Sequence, residues 1–270
     1  MNPGIRCHIA LARPLSFLAG LLLVVACTGP AATNTPQTAR GNDLLVAAAA
    51  DLQFAFTDIG QLFEQQTGRH VIFSFGSTGN LTTQIENGAP FDLFAAANVA
   101  YIDRLRDRGL IIPQTQQLYG QGRIVLAVNR KAGVTATDLG DLLDPSILRV
   151  AIANPDHAPY GLAAKQALQH AGLWDGLQPK LVYGENVRQT LQFVQTGNAP
   201  AGIVALSIAD VPEISWTLID ADLHEPLNQA LAVIQGSPNE QAARAFIEFV
   251  NGPQGRPIME KYGFLLPGEF

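Results

Sequence analysis

The 270-residue chain is predicted to be an α/β protein built as two lobes with a cleft between them. Three observations predict this. Short apolar, β-branched runs alternate with amphipathic stretches of about 10–15 residues, the pattern of βαβ units and largely parallel sheets. Hydrophobic residues make up 47% of the chain and charged residues 15%, too apolar for a disordered chain. No repeat of solenoid period is present, and the length accommodates one or two cores.

The elements follow in order. Leu44–Ala49 is an apolar run. Leu52, Ala55, Phe56, Ile59, Leu62 and Phe63 then recur at spacings of three and four, a helical stripe. Gly68 stands where a helix-closing residue belongs. Val71–Phe75 reads as a strand and Thr78–Asn87 as a helix closed by Gly88. Phe91–Ala96 is a strand, and Val99–Arg108 a helix closed by Gly109. Gly120-Gln121-Gly122 reads as a turn, because a dinucleotide loop would follow a strand and carry a third glycine. Strands are expected at 123–128, 149–153, 180–183, 201–205, 216–219 and 230–235. Helices are expected at 137–143, 160–171, 187–196, 239–250 and 254–262.

The first residues read as an address. Arg6 and Arg13 precede a nearly unbroken apolar stretch, Leu15–Ala26. As a helix it would span ~18 Å, short of the ~30 Å hydrocarbon core, so residues 1–26 are a signal peptide and not a membrane span. Val24-Val25-Ala26-Cys27 resembles a bacterial lipobox, which implies lipid on Cys27. An ordinary secretory signal is the plainer alternative. Thr28 stands where an inner-membrane retention Asp would be. Residues 27–42, rich in Thr, Pro, Ala and Gly, read as a lipidated tether. Beyond Cys7 and Cys27 no cysteine remains, which excludes disulfides, a thiol nucleophile and Cys-rich metal sites in the mature chain.

Charge excludes a nucleic-acid partner. Asp plus Glu number 23 against 17 Lys plus Arg, for a net charge of −6, with no basic cluster to neutralise phosphates. Loss of Arg6 and Arg13 takes the mature chain to about −8. Catalytic motifs are missing: no H-E-x-x-H, no phosphate loop, no G-x-S-x-G. The five histidines are scattered. Asp156-His157 could join a serine in space, though a polar loop is the simpler reading. Asn80-Leu81-Thr82 matches a glycosylation sequon and is discounted at a helix start.

What recurs is a junction. Four helices begin directly after a strand or loop with small or polar residues: Ala50-Asp51, Gly76-Ser77-Thr78-Gly79, Pro159-Tyr160-Gly161 and Glu185-Asn186-Val187. Each alone is an ordinary N-terminus, with Asp51, Thr78 and Asn186 as favoured caps. Together, helix N-termini present unsatisfied N–H groups and partial positive charge, and several converging on a cleft form an anion site without Lys or Arg.

These junctions sit in segments that resemble the periplasmic molybdate-binding proteins that feed ABC transporters. The segments are VAAAADLQFAFTDI (46–59), FSFGSTGNLTTQIENGAPFDLFAAAN (73–98), ANPDHAPYGLAAKQAL (153–168), ENVRQTLQFV (185–194), AGIV (201–204) and GPQGRPIMEKYGF (252–264). They cover nearly the whole mature chain in family order. The resemblance implies a type II periplasmic-binding-protein fold, with residues 43–121 plus 232–270 as lobe one and 122–231 as lobe two. Crossing strands near 123–128 and 230–235 would form the hinge. It implies a binding protein and not an enzyme, acting as a monomer without a cofactor. The ligand would be molybdate or tungstate, with molybdenum met only as the oxyanion. The partners would be a membrane permease and, through Cys27, the membrane of the cell envelope.

Carried over by position, the ligand-binding residues are Asp51, Ser77, Thr78, Tyr160 and Val187, the last two at least through backbone N–H. Two departures stand out. A tyrosine found in some relatives aligns with Ala205, and the Tyr160 phenol is a candidate replacement. Asp51 replaces Ser or Asn, and a carboxylate beside a dianion repels it. Asp51 either turns away to cap its own helix or accepts a hydrogen bond from a protonated oxyanion such as hydrogen phosphate. Other tetrahedral oxyanions remain open as ligands. So, from different classes, do a secreted hydrolase using Asp51 or Asp156-His157 and an adhesive surface lipoprotein.

Overall fold

The computed structural model describes residues 43–270, so the expected signal peptide, Cys27 and the tether lie outside the described residues. Strand β1 (Leu44–Ala49) leads through a three-residue 3-10 turn (Ala50–Leu52) into α1 (Gln53–Thr67). Gly68 closes α1 at φ 69°, its N–H donating to the Glu64 carbonyl at 2.8 Å, a conformation that costs glycine nothing. Next come β2 (Val71–Gly76), α2 (Thr78–Glu86), β3 (Leu93–Ala96), α3 (Val99–Asp107), β4 (Gln117–Gly122) and β5 (Ile124–Asn129). They are followed by β6 (Val150–Ala153), α4 (Pro159–His170), α5 (Trp174–Leu177), β7 (Leu181–Gly184), α6 (Val187–Gln195), β8 (Ala201–Ala205) and β9 (Ile214–Leu218). The chain ends with β10 (Leu227–Val233), α7 (Glu240–Asn251) and α8 (Arg256–Lys261).

The strands form two five-stranded sheets, ordered β2-β1-β3-β10-β4 and β7-β6-β8-β5-β9. Each has the same plan. A parallel trio, β1 flanked by β2 and β3 or β6 flanked by β7 and β8, is extended by antiparallel strands. The chain passes between sheets after Gly122 and again between Leu218 and Leu227. The central strands β1, β3, β5, β6 and β8 are buried throughout, apart from the half-buried Leu45 of β1. This explains their continuous apolar runs. Helices cover the faces, and Phe246 of α7 locks α1 to β2. Its ring lies 5.7 Å from Phe56, 5.2 Å from Phe63 and 6.1 Å from Phe73.

Several elements differ from the sequence reading. Gly120-Gln121-Gly122 is part of strand β4 and not a turn; β4 pairs antiparallel with β10, and Gln121 forms a second bridge to Leu265. The helix expected at 137–143 is only a 3-10 turn at Gly140–Leu143. There Asp138 and Asp141 accept backbone N–H groups of Thr137, Asp138, Gly140 and Asp141, replacing helical bonding. Strand β10 begins at Leu227 and pairs with β3 and β4. Residues 227–231, expected in the second lobe, therefore belong to the first sheet.

Candidate functional site

In sheets of this kind, ligands meet the protein beyond the carboxyl ends of the strands, where the strand order reverses. Here that rule applies twice. Asp51 follows the end of β1 and Ser77-Thr78 the end of β2; Tyr160 follows β6 and Val187 follows β7. These are matching positions in the two sheets, and they converge. A small cavity is walled by Ala49–Asp51, Gly76–Thr78 and Ala97 on one side and by Ala158–Tyr160 and Asn186–Val187 on the other. All five carried-over residues line it, and no Lys or Arg does. A larger groove beside the second sheet, with Leu126, Leu139, Leu173 and Leu218 in its wall, gathers none of these helix starts.

The donors are backbone N–H groups and hydroxyls. Thr78, Tyr160 and Val187 stand in the first turns of α2, α4 and α6, where helix geometry supplies no acceptor for their N–H. Asn186 caps α6 by accepting from the N–H groups of Arg188 and Gln189, both at 3.0 Å, which leaves the Val187 N–H to the cavity. Thr78 is not the cap of α2. Its buried Oγ1 accepts the Ala97 N–H at 3.0 Å, so its hydroxyl proton remains to be donated. Ser77 precedes α2, with Oγ 2.9 Å from His157 Nδ1.

Contacts join the two walls around this cavity. The Gly79 N–H donates to the His157 carbonyl at 2.9 Å. A Cβ on Gly79 would lie 2.8 Å from that oxygen, so only glycine allows the approach. Asn80 Nδ2 donates to Glu185 Oε1, and Glu185 Oε2 lies 3.8 Å from His157 Nε2. Ser207 Oγ donates to the Asp51 carbonyl at 2.8 Å.

Asp51 does not cap its helix, as one expectation held. Its side chain makes no capping bond and instead enters a buried polar network. Oδ2 accepts from the Tyr160 hydroxyl at 3.0 Å and from Gln229 Nε2 at 2.9 Å. Gln229 also donates to Tyr160 Oη at 2.9 Å, and its Oε1 accepts from Tyr119 Oη at 2.6 Å. The phenol proton of Tyr160 is therefore committed to Asp51. Burial pushes the Asp51 carboxyl up to about 6, against the lowering effect of the Gln229 and Tyr160 bonds and, more weakly, of its own backbone N–H. Burial likewise raises the Tyr119 and Tyr160 phenols well above their ordinary value. Gly122 makes the network possible, since a Cβ there would lie 2.1 Å from Tyr160 Oη.

Gln229 and Tyr119 escaped the sequence reading. Gln229 follows Asn228 in a strand that is otherwise apolar, and that polar pair was the available signal. The Asp156-His157 pair does not form: His157 faces Ser77 and Glu185, while the Asp156 N–H bonds Asn154 Oδ1. Among the described residues no group of three His, Cys, Asp or Glu is placed to hold a metal ion, and no helix is long and apolar enough to cross a membrane.

Two α/β sheets whose strand ends aim helix N-termini at one small polar cavity define a protein built to hold a compact solute. The chain belongs to the bacterial extracellular solute-binding proteins, whose family model matches residues 44–265. A molybdate-binding protein ModA of Rhodobacter capsulatus is 35% identical over 229 residues, covering 84% of this chain and 90% of that one. A Bacillus subtilis relative, 30% identical and covering 93% of this chain and 96% of its own, has a name containing the words substrate-binding lipoprotein. The structure of the periplasmic molybdate-binding protein of Azotobacter vinelandii superposes with a TM-score of 0.78 at 31% identity, covering 83% of this chain and 99% of that one.

Proposed function

We propose that the protein captures a tetrahedral oxyanion, molybdate and equally tungstate, outside the cytoplasm and hands it to the membrane permease of an ABC importer. The observation that carries this reading is the convergence of the α2, α4 and α6 N-termini, with the Ser77 and Thr78 hydroxyls, on a cavity without a basic side chain. Such donors hold an anion at contact range without a strong ion pair, and so release it readily. Molybdate and sulfate carry equal charge, so selection falls to size. An anion too small for a rigid shell leaves donors unpaired at ~1–3 kcal/mol each. The names of the Rhodobacter and Azotobacter relatives support molybdate.

The protein binds and does not catalyse, and it acts as a single chain without a cofactor. Ser77, His157 and Glu185 lie near one another, at 2.9 Å from His157 to Ser77 and 3.8 Å from His157 to Glu185, and turnover of an ester by the purified protein would overturn the non-catalytic reading. Lipid on Cys27 would hold the protein to the cell envelope, a role supported by the lipobox-like sequence and by the name of the Bacillus relative. Titration calorimetry with molybdate, tungstate, sulfate and phosphate tests the ligand. The expected result is stoichiometric binding of molybdate and tungstate with little sulfate binding. Phosphate binding without a molybdate signal would overturn the assignment.

A further inference from the structure

Asp51 is the buried acid that the oxyanion reading leaves unexplained. It is 1% exposed and lines the cavity. The acceptor capacity of Oδ2 is taken by the Tyr160 O–H and by one Gln229 N–H. Those donors cannot turn away. Gln229 is fully buried, its amide oxygen is held by Tyr119 and its other N–H is spent on Tyr160. Oδ1 is buried and has no hydrogen-bond partner among the described residues. An unpaired carboxylate oxygen in the wall of an anion cavity is costly, and beside a dianion it is repulsive. Once protonated, the same oxygen becomes a donor, matching the other groups around the cavity.

We propose that Asp51 couples ligand capture to proton uptake: a fully ionised oxyanion binds together with one proton from solvent, which lies on Asp51 Oδ1 and is donated to a ligand oxygen. The balance is one carboxylate, one proton and one dianion giving one carboxylic acid hydrogen-bonded to that dianion. The proposal rests on the oxyanion reading above and deepens it. The surroundings leave Asp51 as the titrating group. Facing it are the phenols of Tyr160 on α4 and Tyr119 on β4, both held neutral, and the Gln229 amide on β10. From the segment after β8 comes the Ser207 hydroxyl, bonded to the Asp51 carbonyl. On the α2 side, Ser77 and Thr78 are hydroxyls. The ionisable groups behind them, His157 and Glu185, meet Ser77 and Asn80 and not Asp51. With the free carboxyl already raised to about 6, a neighbouring dianion raises it further.

The test is calorimetry with molybdate from pH 5 to 8.5, in two buffers of different ionisation enthalpy, on wild-type protein and Asp51→Asn. The expected result is uptake of close to one proton at pH 8, fading below pH 6. Linkage from a free-state value of about 6 makes apparent affinity about fiftyfold weaker at pH 8 than at pH 6. Asp51→Asn loses both the uptake and the pH dependence, because its amide donates at every pH. Buffer-independent heats at pH 8 with molybdate bound to the wild type would overturn the proposal, a result that does not depend on how the variant folds. So would proton uptake persisting in Asp51→Asn. Absence of molybdate binding at every pH would instead refute the oxyanion reading.

Discussion

Replacing Asp51 by asparagine should stabilise the ligand-free protein in a pH-dependent way. The carboxyl titrates at about 6 in the fold against an ordinary value of 3.8, so the folded state holds its proton where the unfolded chain has lost it. Stability is then highest in acid and falls as pH rises from about 4 through about 6, where the buried group ionises. The shift corresponds to about 3 kcal/mol, fully lost above pH 7. The amide introduced by Asp51→Asn imitates the protonated acid: its oxygen accepts from Tyr160 and Gln229, and no charge forms. Urea melts of wild type and variant at pH 4.5 and pH 8 give a double difference in which any constant cost of the amide cancels. The unfolded carboxyl is already mostly ionised at pH 4.5, so the variant should gain about 2 kcal/mol relative to wild type on going from pH 4.5 to 8, or about 4–8 °C in Tm for a chain of this size. A double difference near zero would refute the reasoning, because it would mean that the carboxylate is not desolvated in the fold.

Other consequences follow from the same geometry. Gly79→Ala places a methyl 2.8 Å from the His157 carbonyl and separates the walls of the cavity; calorimetry should show molybdate affinity reduced about 10- to 100-fold, the equivalent of 1–3 kcal/mol of overpacking. Gly122→Ala drives a methyl to 2.1 Å from Tyr160 Oη, and thermal melts should show destabilisation of about 1–3 kcal/mol together with weakened binding. Phe246→Ala removes the ring that ties α1 to β2 and should cost about 3–5 kcal/mol in urea melts with little direct effect on ligand contacts. Because the net charge is −6, stopped-flow association with molybdate should speed up as ionic strength rises from about 10 to 150 mM; slowing with salt would reveal a local positive field at the site.

The parts of this molecule that were legible in the sequence are those written locally. The stripe from Leu52 to Phe63 gave α1, Gly68 gave its end, and Asn186 gave the cap of α6, because periodicity and capping act within one turn or two. Strand β4 was hidden, since Gly120 and Gly122 carry turn chemistry. Its strand character comes from pairing with β10 and from the room that Gly122 leaves for Tyr160. The direction of the Asp51 side chain was equally hidden. Its partners Tyr160 and Gln229 lie 109 and 178 positions away, and no local pattern encodes such a meeting. The helix starts could be found singly, but their convergence is a property of two sheets with the same strand plan.

An acidic chain that captures a dianion faces two separate penalties, which act over different distances. The first is long-range repulsion from a net charge of −6, which salt screens within about 8–10 Å and which governs encounter more than affinity. The second acts at contact, where each donor left unpaired or each like charge left bare counts in full. Helix N-termini and hydroxyls answer the contact penalty everywhere except at Asp51. Lysine or arginine in place of the N–H donors would answer both at once, but a charge-assisted pair would also hold the ligand harder than delivery allows. A carboxyl poised at about 6 meets the contact penalty another way. It is neutral while the anion is bound and charged when proton and anion have left, so the group that completes the donor shell on capture disfavours rebinding after release.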